Sequence, residues 1–126
     1  MVAHVLLSHP GILDASVYGV RLPGIDGQPA MAAIVCDPSN PLDLASLGKH
    51  VWAELPKNSV PMFLRVLPRM QYTWTLSHRK VELRDQGADP HRVGGDPMYF
   101  FDKKDKVYRP LERATYGDIV GGGTRL

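Results

Sequence analysis

A single cysteine, Cys36, stands among 126 residues. No internal disulfide can form and no cysteine-based zinc site can be built, so a reducing, cytoplasmic compartment is the expectation. No stretch reaches the ~20 apolar residues that span a bilayer, so no transmembrane segment is expected. The opening run MVAHVLLSHPGIL carries neither a basic leader nor a small-residue cleavage site, which argues against a secretory signal. Neither sign of charge dominates. Fifteen Lys and Arg against 13 Asp and Glu leave +2, with a pI near 8.8, too little for a strong basic stripe, so nucleic acid is not an expected partner. A phosphate loop of the G-x-x-x-x-G-K-[ST] type and a G-x-S-x-G elbow are both missing. His4, His9, His50, His78 and His91 include no i, i+4 pair, and no metal site is expected. Ser77 and His78 are neighbours, and neighbours on an extended chain point to opposite faces, which excludes a Ser–His relay.

What is present describes one globular domain over residues 1–126. The chain is 44% hydrophobic and 22% charged, values of a chain that folds. Twelve Gly and 11 Pro predict short elements joined by many loops. Val2, Val5 and Leu6 are spaced as on a helix over residues 1–8, which Pro10 and Gly11 close. Residues 15–21 alternate and favour a strand. A turn follows at 23–27 by composition. Residues 30–36, almost all apolar, predict a strand covered on both faces. Leu44, Leu47, Val51 and Leu55 recur at spacings of three and four and form one helical stripe, with Trp52 beside it as a core residue. Residues 62–67 predict a strand, 71–80 a loop, and 81–86 a short helix closed by Gly87. Two β-rich runs, 98–101 and 106–108, flank the charged 102–105 and predict a hairpin. A last helix is expected over 112–120, with Gly121 to Gly123 fraying. The class is α+β: a central sheet of about three strands flanked by helices, plus a C-terminal hairpin extension.

One stretch invites chemistry. Tyr72-Thr73-Trp74-Thr75-Leu76-Ser77-His78-Arg79-Lys80 gathers aromatics, hydroxyls and cations, the groups that stack on bases and pair with phosphates. Around it, Arg65, Arg69, Arg79, Lys80 and Arg84 face only Glu82, a local excess able to meet phosphates. A solvated basic loop with its aromatics tucked inward reads equally well from these residues.

Four blocks together carry a resemblance: HPGILDASVYGVRLPGIDGQPAMAAIVC from His9, LPKNSVPMFLRV from Leu55, TWTLSHRKVELRDQGADP from Thr73, and MYFFDKKDKVYRPL from Met98. In this order they resemble the C-terminal lid domain of AMP-forming, adenylate-forming acyl-CoA synthetases, closest to the fatty-acid-transport-protein and very-long-chain branch. The likeness runs from about Val2 to Leu126. It implies a two-domain ligase in which a large N-terminal domain binds ATP, Mg²⁺ and fatty acid. The small domain rotates as a lid, first for adenylation and then for attack by the CoA thiol. The hinge, the hairpin before the first helix and the large domain would lie upstream of Met1.

The resemblance also assigns roles. The family's catalytic lysine, which stabilises charge developing on the α-phosphate, falls at Ser77, and serine supplies no cation. Lys80, about 10 Å further along an extended loop, is the candidate substitute. Thr73, Trp74, Thr75, His78, Arg79 and Arg65 become the expected substrate- and cofactor-binding residues. The tyrosine of the family's second block is Asn58 here, while Phe63-Leu64-Arg65 is retained. The implied function is the lid of a fatty-acid–CoA ligase, inactive alone, partnered by an adenylating domain in cis or trans, with any membrane-peripheral location arising through the full-length enzyme. The alternative is a stand-alone, non-catalytic module that binds CoA, a nucleotide or a synthetase partner.

Overall fold

The computed structural model describes residues 2–23, 27–67, 83–93 and 95–121. Helix α1 (Val2–Leu7) leads into strand β1 (Ile12–Gly19), which pairs antiparallel with β2 (Ala30–Cys36). Helix α2 (Leu44–Glu54) and a 3-10 turn (Lys57–Ser59) carry the chain back to β3 (Phe63–Leu67), parallel to β2. Parallel neighbours require such a crossover, and α2 supplies it. Residues 83–86 are helical. Strands β4 (Met98–Asp102) and β5 (Val107–Pro110) then form an antiparallel hairpin, and α3 (Arg113–Val120) comes last.

The sheet order is β1-β2-β3-β4-β5. The α+β class stands, with one revision: the hairpin is no appendage. β4 pairs with β3 through Phe63–Phe100, Leu64–Tyr99 and Arg65–Met98, which makes one five-stranded mixed sheet.

Strand β2 explains why an all-apolar run was needed. Successive strand residues point to opposite faces, and both faces are covered. Met31, Ala33 and Val35 join Tyr18, Phe63, Leu83, Met98 and Ile119 in one core. Ala32 and Ile34 join Leu6, Leu47, Val51, Phe101 and Tyr108 in the other, beneath α1 and α2. Each large apolar side chain fully buried there contributes roughly 1.5–3 kcal/mol.

The element ends have local causes. Asp43 caps α2 by accepting from the backbone N–H groups of Ala45 and Ser46, each at 3.1 Å; such a cap is worth about 1 kcal/mol. β1 begins at Ile12, three residues before the expected 15–21, and stops at Gly19. The register shifts between Ile12 and Asp14, and Leu13 is 53% exposed, so a bulge hides the period-two pattern there. Gly11 feeds this start at φ +92°, where an added Cβ would lie 2.8 Å from the Asn40 carbonyl oxygen. The helical stretch 83–86 is closed by Gly87 at φ +60°, as expected. Val81 and Glu82, the centre of the 23–27 turn and the glycine tail beyond 121 lie outside the described residues.

Gly48 sets the distance between α2 and the hairpin. A Cβ there would stand 2.3 Å from the Lys106 carbonyl oxygen and 2.8 Å from the Val107 Cα. In an exposed helix Gly→Ala gains about 1 kcal/mol. Here the obstacle is backbone, and Gly48→Ala is expected to lose about 1–3 kcal/mol as an overpacked contact. Urea unfolding of the variant measures this, and a raised midpoint would contradict the contact. Trp52 is half-buried rather than central. It stacks on Phe101 (centroids 5.8 Å, interplanar angle 17°) with the Lys106 and Lys57 ammonium groups over its ring at 5.0 and 5.3 Å.

Candidate functional site

The residues singled out for chemistry, Thr73, Trp74, Thr75, Ser77, His78, Arg79 and Lys80, lie outside the described residues. What the structure gives is the frame that holds both ends of their segment. Upstream, β3 sits between β2 and β4 and ends at buried Leu67; downstream, buried Leu83 opens the helical turn.

Arg65 ties the two sides together. It is 3% exposed, and its Nε and Nη2 donate to Asp96 Oδ2 at 3.0 and 2.8 Å. Its Nη1 donates to Gln86 Oε1. The guanidinium thus clamps β3 to residues 86 and 96 on the far side of the segment. Burial and these three hydrogen bonds give Arg65 a structural role beside the binding role that the resemblance assigns to it.

Beside this clamp opens a cleft of about 380 Å³ lined by Arg21, Arg84, Arg92, Asp85, Asp89 and Tyr116, among others. It joins the segment after β1 to residues 84–92 and to α3. Asp89 is pushed up by burial but held below the usual carboxylate range by hydrogen bonds from the His91 backbone and ring, helped by the Arg92 charge. Burial, and then the Asp89 charge, raises the Tyr116 phenol above its ordinary value. Three guanidinium groups against two carboxylates make this a setting for an anion. The sequence points to Arg84 but not to Arg21 or Arg92. The signal is tertiary, since 63 residues separate Arg21 from Arg84.

Two serine–histidine contacts also form across α1 and α2. Ser8 Oγ lies 2.9 Å from His50 Nε2, yet it donates to the Val5 carbonyl at 2.6 Å, and His50 Nε2 also sits 3.0 Å from that oxygen. That nitrogen therefore carries its proton and is not a base for Ser8. His9 Nδ1 is 2.8 Å from the Pro10 carbonyl, so its Nε2 accepts from Ser46 Oγ at 3.1 Å. These pairs hold α1 to α2. Cys36 is half-buried, and burial raises its thiol pKa, which keeps it unreactive. Among the described residues, no group of three or more His, Cys, Asp or Glu is placed to hold a metal ion.

A mixed sheet with a parallel pair at its centre and a crossover helix between that pair matches a known domain. The sequence model of the AMP-binding enzyme C-terminal domain matches residues 2–75, and the chain belongs to that family. Its relatives include long-chain fatty acid transport protein 6 of Mus musculus, 37% identical over 125 residues, covering 99% of this chain and 20% of that protein. The very long-chain fatty acid transport protein of Cochliobolus heterostrophus is 35% identical over 130 residues, with 99% and 20% covered. The chain thus spans about a fifth of the length of these relatives.

Among solved structures, a double mutant of o-succinylbenzoate CoA synthetase from Bacillus subtilis, bound with a product analogue, superposes with a TM-score of 0.53 at 27% identity. The match covers 68% of this chain and 17% of that one. Apo MatB from Rhodopseudomonas palustris shares the fold, with a TM-score of 0.55 at 22% identity over 67% of this chain and 17% of its own.

Proposed function

We propose that this chain works as the lid of an AMP-forming fatty-acid–CoA ligase, which joins fatty acid and CoA at the expense of ATP and releases AMP and pyrophosphate. The observation that carries the reading is identity of 35–37% to fatty acid transport proteins, sustained over 99% of the chain. A lid contributes by completing a site and excluding water when it closes. The Arg65 clamp supports this, since it fixes the root of the loop that would enter the nucleotide site. ATP, CoA and Mg²⁺ belong to the assembled enzyme. Of the described residues, Arg21, Arg84 and Arg92 have the chemistry for a phosphate. On this reading the large domain holds the metal. The partner is an adenylating domain in cis or trans, and the chain alone is silent.

The test is complementation. A large domain from a fatty acid transport protein, with its own lid deleted, is supplied with this chain as a fusion or in trans, and acyl-CoA formation is monitored. Turnover above that of the large domain alone is expected. A second reading, a non-catalytic module, is favoured by serine at position 77. Saturable CoA binding by the chain, with no turnover in the fusion, would replace the first reading by the second.

A further inference from the structure

Five of the six lysines lie on three neighbouring elements: Lys49 on α2, Lys57 on the 3-10 turn, and Lys103, Lys104 and Lys106 in the β4–β5 turn. Backbone contact at Gly48 seats the turn on α2, and the Lys57 and Lys106 ammonium groups share the Trp52 ring. Lys49, Lys57, Lys103 and Lys104 are exposed.

The carboxylates in this region do not cancel them. Arg109 occupies Asp102 at 2.7 Å and Asp105 at 2.5 Å. With Arg109 counted, six cations face Asp102, Asp105 and Glu54, which leaves +3 on this face of a chain whose total is +2. The arginine cleft is elsewhere, on the side of the sheet where Tyr116 packs.

We propose that this face docks on the anionic lipid headgroups of a membrane surface. Lysine ammonium groups on flexible stems are point charges that need no fixed partner geometry, which suits a fluid, negatively charged leaflet. A nucleotide or nucleic acid fits less well. Trp52 is already engaged by Phe101 and two ammonium groups, so it offers little to stack a base. The guanidinium on this face, that of Arg109, is committed to carboxylates. The inference rests on this surface alone and stands or falls apart from the lid reading.

The test is sedimentation of the full chain with vesicles of phosphatidylcholine, with or without phosphatidylserine. Binding is expected only with phosphatidylserine, and raised salt should weaken it. Removing a lysine at such a surface costs about fivefold, so the exposed double variant Lys103→Glu/Lys104→Glu should lose about 25-fold or more. Arg84→Gln/Arg92→Gln, in the cleft, should bind as the parent does. Circular dichroism establishes that each variant is folded. Equal binding to both vesicle types, or no loss in the lysine variant, would overturn the proposal. So would release from vesicles by saturating free CoA or by an RNA oligonucleotide, either of which would reassign the face to that ligand.

Discussion

Ser77→Lys, in a fusion of this chain to a competent adenylating domain, is expected to raise acyl-adenylate formation by about 100- to 1,000-fold. The resemblance places the family's lysine at this position, and its task is electrostatic. Negative charge grows on the α-phosphate as the carboxylate attacks, and a preformed cation stabilises that state more than the bound substrates. Only such differential binding accelerates the step. The gain should therefore appear in kcat for pyrophosphate exchange, with KM for ATP little changed. Lys80→Ala alone should leave the rate where it is, and a fall in that variant would show that Lys80 already serves as the substitute. No gain from Ser77→Lys would remove position 77 from the chemistry.

Asp96→Ala should cost about 3 kcal/mol of stability, at the low end of the penalty for deleting one member of a buried ion pair. Arg65 is 3% exposed and has Asp96 as its charged partner, at 2.8 Å. Gln86 would remain as a neutral acceptor, which moderates the loss. The urea midpoint should fall at constant slope. Adding Arg65→Met should restore most of it, because an apolar side chain has no charge to strand. A loss below about 1 kcal/mol in Asp96→Ala would instead class the pair with exposed ion pairs.

Elements whose cause is local are legible in the sequence. The stripe of Leu44, Leu47 and Val51 marks α2, with Asp43 as its cap. The unbroken apolar run marks β2 over its full length, 30–36. The charged turn between two β-rich runs marks the hairpin. Where the cause is tertiary, the pattern fails. A bulge hides the start of β1, and the pairing of β4 with β3 links residues about 35 apart, which no local period encodes. Arg65 reads as one of five cations meeting phosphate because sequence proximity places it in that group. Its partner Asp96 is 31 residues away, and burial turns a surface charge into a clamp. The arginine cleft draws on residues 21, 84 and 92, which the chain alone does not bring together. The loop expected at 71–80 rests on composition and resemblance, and it lies outside the described residues.

The hairpin has a consequence for how far this domain can be trimmed. The family match ends at residue 75, short of β4 and β5, yet β4 pairs with Phe63, Leu64 and Arg65 of β3. Without it, the Met62 carbonyl, the Leu64 backbone and the Val66 amide would stand open along an apolar strand, a template on which another chain can add. The outermost strand is instead β5, which ends in Pro110, a residue with no amide proton to offer. The segment beyond the family match thus acts as a selvedge, finishing the fabric on the side where it would otherwise unravel into assemblies.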